Sequence, residues 1–283
     1  MPSGLGAWES LVHTAMMPRM LICERLDTTD STQREVLGRL SAVADLRPSG
    51  QAHRAFGLWT TQQTRGIASH GRRWQDSPDG GLAISIAWPD ANSTAREMAW
   101  PIRWSLLTIA ALEASYPILS KRLGVKWPND VMAQQSKLAG VLVSRHLVHG
   151  EWWCIAGVGI NLAWRELPEV GRPVTDLQRL GVQEPDPEKI VTALRHAADA
   201  LLNGPSSETA SDVWQKEYRD RDVAADKLVS VVHPVSGETL MMGMNRGLSP
   251  TGELILEVDG TQHRVAIGEL SLRFVSAAVS AMS

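Results

Sequence analysis

The apolar pattern changes character near residue 222, and that change limits what the chain can fold into. Before it, runs with a two-residue period alternate with runs near 3.6 residues, so strands and helices are interleaved. Beyond it the helical period disappears. Strand-like runs at 227–233, 238–244, 253–258 and 263–267 are joined by the short turns Val235-Ser-Gly-Glu238, Ser249-Pro-Thr-Gly252 and Asp259-Gly260, the last a hairpin signal. We read a lead-in over 1–19, a main unit over 20–222 and a small β-barrel-like unit over 223–283. A length of 283 residues accommodates one large unit or two smaller ones.

Within the main unit, 20–26 reads as a first strand. Asp30-Ser31-Thr32 then offers helix caps, with Thr32 and Glu35 at capping-box spacing and Val36, Leu37 and Leu40 at helical spacing. Residues 56–60 read as a short strand. Over 82–88, Leu82, Ile84, Ile86 and Trp88 alternate with Ala83, Ser85 and Ala87, a strand whose small face admits a helix or a ligand. The pattern predicts a helix over 101–116, strands at 141–145 and 152–158, and a helix over 187–202 ended by Gly204.

Composition narrows the class. Hydrophobic residues make up 43% and charged residues 21%, which fits a soluble globular chain rather than a disordered one. The net charge of −3 lacks the basic bias of a non-specific nucleic-acid binder. Cys23 and Cys154 form neither a CxxC nor a disulfide framework, which fits a reducing compartment. No signal peptide is visible. The apolar stretch 98–119 is interrupted by Arg103, Glu113 and two prolines, and reads as a buried helix, not a membrane span. We therefore expect a cytoplasmic protein. The 11 Trp against 2 Phe and 2 Tyr have no explanation at this level.

Four segments could carry chemistry. The loop 61–74 sets Gly66 and Gly71 beside Arg65, Arg72 and Arg73, a pattern suited to an anion or to a solvated basic loop. The turn Lys126-Trp-Pro-Asn-Asp130 reads as a rigid polar turn in which Asn129 and Asp130 could hold a ribose or a metal-bound water. In Lys137-Leu-Ala-Gly140 a lone lysine enters an apolar strand, either snorkelling or functional. Gly157-Val-Gly-Ile-Asn161 breaks the dinucleotide fingerprint at its last position. There is no GxxxxGK[ST] phosphate loop and no GxSxG elbow. His146-x-x-His149 has metal-ligand spacing but no evident third ligand.

Taken in order, these segments resemble the biotin protein ligases, which activate biotin with ATP and attach it to a lysine of a carrier domain. The resemblance spans about residues 20–275 and rests on Asp30-Ser31-Thr32, Gln63, the intact Lys126–Asp130 motif, Lys137–Gly140, Gly157–Asn161 and Gly268-Glu-Leu-Ser-Leu-Arg273. It implies an α+β fold, a mixed β-sheet flanked by helices with a small C-terminal SH3-like β-barrel. It also implies the ligase-only type, without an N-terminal DNA-binding domain, acting with no membrane partner as a monomer or homodimer.

By the same resemblance Ser31, Thr32, Gln33 and Gln63, the loop residues Gly66, Ile67, Ala68 and Ser69, and Lys137 and Gly140 bind biotin. Gly71, Arg72, Lys126, Asn129, Asp130, Lys137 and Asn161 bind ATP and the adenylate. Lys137, Lys126 and Arg72 serve catalysis, and Asp130 is a candidate Mg²⁺ ligand. A biotin carboxyl carrier domain is the implied acceptor.

The chain departs from the family at Ile67, Ala68 and Ser69, where the family loop carries arginine, glycine and arginine, and at Gln33, where it carries asparagine. Losing an arginine there predicts weaker retention of the adenylate, unless Arg65, His70 or Arg73 moves in. Two alternatives stay open at this stage: a lipoate or octanoate ligase of the same superfamily, and a non-catalytic biotin-binding descendant.

Overall fold

The computed structural model describes residues 21–42, 55–75, 80–90, 99–168, 171–203, 208–266 and 270–275. The lead-in and the Gly204 helix end lie outside them. The main unit is a seven-stranded mixed sheet in the order β1-β2-β3-β7-β6-β5-β4. Its strands are β1 (Ile22–Arg25), β2 (Phe56–Thr60), β3 (Gly81–Pro89), β4 (Leu123–Lys126), β5 (Asp130–Ala133), β6 (Ser136–Val148) and β7 (Glu151–Asn161). The β1–β2 pair is parallel, because helix α1 (Thr32–Ala42) makes the crossover between them, and the other pairs are antiparallel.

Strand β3 explains the layers. Its large face, Leu82, Ile84, Ile86 and Trp88, enters the main core with helices α2 (Trp100–Ser115) and α3 (Pro187–Asn203). There Trp88 meets Trp100 edge-on at 5.1 Å and stacks on Trp104 at 5.5 Å, so part of the tryptophan excess builds one aromatic cluster. On the small face, Ala87 packs with Val36 and Leu40 of α1 in a second cluster. Ala83 and Ser85 line a pocket, so this face admits both a helix and a cavity.

Helix α4 (Glu208–Arg221) was not visible in the sequence pattern. Trp214 and Tyr218, one turn apart, are its buried apolar residues among those described, too thin a stripe to stand out from its charges. Strands β6 and β7 are longer than expected, pairing without interruption from Ala139–Ile160 to Val148–Glu151. No described helix is long and apolar enough to cross a membrane.

The C-terminal unit corrects an expectation. Strands β8 (Leu228–Val232), β9 (Thr239–Leu248), β10 (Leu254–Val258), β11 (Thr261–Val265) and β12 (Ser271–Phe274) form an antiparallel sheet ordered β11-β10-β9-β8-β12. Its edges β11 and β12 do not pair, so the sheet is open and not a β-barrel. The reason is where its apolar face goes. Val229, Val231, Leu254, Leu256, Val265 and Leu272 join the same continuous core cluster as the main unit, so they are covered without closure.

Two hydrogen bonds fasten the C-terminal sheet to the main unit, and an ion pair within the main unit braces the second. Trp127, fully buried, donates its indole N–H to Gly252 O at 3.3 Å. Asn245 donates to Asp222 Oδ2 at 2.8 Å, and Arg221, next in the chain, forks onto Glu113 at 2.8 and 2.9 Å. Trp127→Ala should therefore lower unfolding free energy by about 3–5 kcal/mol, and Trp127→Phe, which keeps most of the packing, by about 1 kcal/mol, read by denaturant unfolding.

Candidate active site

The site lies where the N-terminus of α1 meets the small-residue faces of β3, β6 and β7. Thr32 is the first residue of α1. Its hydroxyl lies 2.8 Å from Ser85 Oγ and donates to Gln63 Oε1 at 3.3 Å, while its backbone N–H donates to the same Oε1 at 2.9 Å. The Thr32–Glu35 capping box is not made: Thr32 is already the first helical residue, the Glu35 N–H donates to Ser31 O at 2.9 Å, and the Glu35 carboxylate pairs with Arg39. Ser85 donates to Gln33 Oε1 at 3.1 Å. Gln33 in turn reaches across the sheet, donating to Ser144 Oγ at 2.9 Å and Ile155 O at 3.1 Å. The longer arm is thus used to span β7 and anchor on β6. The result is a connected polar end wall, each member of which fixes the next.

Beside that wall, Gly140 and Gly159 face each other across β6 and β7. A Cβ on Gly159 would stand 2.6 Å from the Trp74 indole, and one on Gly140 would stand 3.0 Å from it and 2.7 Å from Lys137 Nζ. Both positions need glycine so that Trp74 can lie on the strands. The 66–74 loop delivers that ring. It is closed by Trp74 N–H to Gly66 O at 2.9 Å and Ala68 N–H to Arg72 O at 2.8 Å, around a left-handed Gly71 with φ of 67°. Ser69 does not supply a cation but steers one, since its carbonyl accepts from Arg72 Nε at 3.3 Å. Trp74 was not assigned from sequence, where it read only as the end of a polar loop.

Asp130 is the electrostatic centre. Strands β4 and β5 pair Lys126 with Asp130 across the turn, which contains a cis Trp127–Pro128 bond. Asn129 donates to Val141 O at 2.6 Å and so holds the turn against β6. The buried Asp130 carboxylate meets Lys126 at 3.4 Å, Arg172 at 3.2 Å and the buried Lys137 ammonium. Burial pushes this carboxyl up, but Lys137, Lys126 and Arg172 more than offset it and hold it well below the usual carboxylate range. For Lys137 burial prevails over the pull of Asp130, and its value falls to about 8.

Two cavities meet here. The inner one is lined by Ser31, Thr32, Gln33, Gln63 and Asn129, by Ile67, Ala68, Ser69 and Arg72 from the loop, and by Lys137 and Gly140. The outer one, of about 710 Å³, is walled by Lys126, Asn161, Arg73 and, from β12, Arg273. Ala68, Arg72, Trp74, Lys137 and Arg172 line both.

Further hydrogen bonds and close contacts hold these walls in place. Gly66 supports Gln63 and Trp74. Asn161 donates to Thr175 O at 2.8 Å, pinning the segment 173–175 against β6. Arg65 points to Asp30 and Arg73 donates to Thr64 O, so neither turns its guanidinium toward Lys137. Arg172 and Arg273 also reach the site, although neither was assigned a role from the sequence. His146 bonds Ser144 and His149 bonds Ser41 O, and no group of three His, Cys, Asp or Glu able to hold a metal occurs among the described residues.

Comparison with known proteins agrees with this geometry. Residues 27–161 match the biotin/lipoate A/B protein ligase family. A biotin–[acetyl-CoA-carboxylase] ligase of Mycobacterium tuberculosis is 28% identical over 250 residues, covering 86% of this chain and 85% of the relative. A bifunctional ligase/repressor of Escherichia coli is 27% identical over 256 residues, covering 88% of this chain and 73% of the relative. The fold is similar to that of a biotin protein ligase from Aquifex aeolicus solved with biotin and ATP, with a TM-score of 0.70 at 24% identity over 89% of this chain and 99% of that one.

Proposed function

We propose that this chain is a biotin protein ligase: it forms biotinyl-5′-AMP and pyrophosphate from biotin and Mg-ATP, then transfers the biotinyl group to a lysine of a biotin carboxyl carrier domain. The observation that carries this reading is the meeting of the two cavities at Lys137. The inner cavity ends in a neutral wall of hydroxyls and amides, Thr32, Ser85, Gln33 and Gln63, suited to an uncharged ureido ring that both donates and accepts. The outer cavity is cationic and large enough for a nucleotide.

The reaction brings a carboxylate against an α-phosphate, two anions that repel. A buried ammonium at the junction offsets that repulsion and stabilises charge that grows as the carboxylate oxygen bonds phosphorus and the bond to pyrophosphate breaks. Lys126 and Arg72 share the remaining phosphate charge. Both oxygens of Asp130 are already engaged by cations, so we assign Mg²⁺ to the ATP phosphates as part of the substrate. The carrier lysine then attacks the acyl carbon of the mixed anhydride, and AMP leaves with the bonding pair. The two free cysteines support a cytoplasmic setting for this chemistry.

The test is pyrophosphate release from Mg-ATP with and without biotin, followed by label on a biotin carboxyl carrier domain. Release that requires biotin and label that reaches the carrier lysine are expected; biotin binding without release would sink the reading. Replacing Lys137 by Met should slow adenylate formation by on the order of 10²–10³-fold in single-turnover assays.

The protonation of Lys137 gives a pH signature. In the free enzyme its value of about 8 means the ammonium is lost as pH rises through 8, so kcat/KM for biotin should fall above that point. Bound anions favour the charged form, so the corresponding fall in kcat should lie at higher pH. Coincident limbs in the two profiles would contradict the assignment.

A further inference from the structure

The polar end wall of the inner cavity has a direction, and one backbone carbonyl sets it. Gln33 Nε2 lies 2.9 Å from Ser144 Oγ and 3.1 Å from Ile155 O, two residues paired across β6 and β7. A carbonyl only accepts, so the amide atom aimed at Ile155 is the NH2 group, and the amide cannot be flipped. Both amide hydrogens are spent at that end. The other end, Oε1, only accepts, and it lies 3.1 Å from Ser85 Oγ. It has room there because Gly157 carries no side chain; a Cβ at that position would overlap Oε1. The single Ser85 proton therefore goes to Gln33.

The order runs on to Thr32. The Thr32 and Ser85 hydroxyls lie 2.8 Å apart, and Ser85 has no second proton to give. The Thr32 proton closes that contact, with Gln63 Oε1 at 3.3 Å taking a lesser share. Either acceptor belongs to the wall. Thr32 and Ser85 both line the inner cavity, yet both of their protons point away from it. What the two oxygens offer a ligand is lone pairs.

We propose that Gln33 is a specificity-determining residue of the inner cavity: acting through Ser85, it orders the wall so that Thr32 receives a ring N–H of the ligand and rejects a ring oxygen of the same size. A ring oxygen would set lone pair against lone pair, so it is refused without any steric clash. The ligand class this selects is a cyclic urea over the corresponding cyclic carbamate. It rests on the ligase reading above and adds to it a positioning residue that acts through its neighbours. The length of the arm is essential. An asparagine at position 33 is one methylene shorter and cannot keep both Ser85 and the Ser144–Ile155 pair at these distances.

The test uses the full chain and calorimetric titration without ATP. Biotin is compared with the two analogues in which one or the other ureido N–H is replaced by a ring oxygen. Wild type should bind the more disfavoured analogue at least about a hundredfold more weakly than biotin. Gln33→Met keeps the bulk and removes the amide, which frees the Ser85 proton to serve an acceptor on the ligand. The biotin-to-analogue ratio should then shrink about tenfold or more, with melting temperature recorded alongside. Gln33→Asn, which withdraws Oε1 from Ser85, should shrink it as well and serves if the methionine variant does not fold. A ratio unchanged in these variants, with biotin and analogue weakened alike, marks a role confined to packing and would overturn the proposal. A wild type that binds biotin and both analogues equally would overturn it too. Pyrophosphate release is scored separately: a wild type that shows the ratio but releases none overturns the ligase reading alone, because the ratio requires no chemistry.

Discussion

The site is organised by one buried carboxylate. Asp130 is 6% exposed, and a lone charge there would be untenable. It persists because three cations from three places in the chain converge on it: Lys126 across the β4–β5 turn, Lys137 from the start of β6 and Arg172 from the loop that β6 straps down. Each of those cations would in turn be costly to gather without it. The carboxylate therefore acts as an internal counter-ion that allows an excess of positive charge to be stored before substrate arrives. Pre-gathered charge needs little rearrangement in the transition state, which is where electrostatic catalysis gains most.

The polar end wall follows a different logic. It carries no net charge, and its atoms satisfy one another through Gln63, Thr32, Ser85, Gln33 and Ser144. Such a chain can stay buried while waiting for a neutral ligand that both donates and accepts. One cavity is thus prepared for an uncharged ring and the other for a polyanion, with Trp74 and Lys137 at the border. The indole can lie there because Gly140 and Gly159 remove two side chains from adjacent strands.

Residues close to one another in sequence were the legible part of this arrangement. The alternation over 82–88 showed both the strand and its small face, and the Lys126–Asp130 and Lys137–Gly140 motifs located the charged turn and the lysine. What stayed hidden depends on distance in the chain. Arg172 lies in a segment without periodicity, the Gly268–Arg273 motif does not say where its arginine points, and only the tertiary fold carries both to the cavity that Lys137 lines. The capping box at Thr32 was a plausible local reading that failed because the helix already includes Thr32, so the Glu35 N–H is taken by Ser31 O. The closed barrel failed for a different reason. Alternation in the C-terminal strands showed an apolar face but not what would cover it.

That covering explains why the small sheet belongs to the site. Its apolar side continues the core of the main unit, so its orientation is set by packing. Strand β12 then presents Ser271, Leu272 and Arg273 to the outer cavity. The same five-residue turn that holds Lys126 and Asp130 also holds Trp127, whose indole bonds Gly252 in the other sheet. A displacement of the C-terminal sheet would move the Trp127 anchor and the Arg273 wall together, and with them the turn on which the counter-ion sits. An open sheet sealed against the core ties these parts to one hydrophobic cluster.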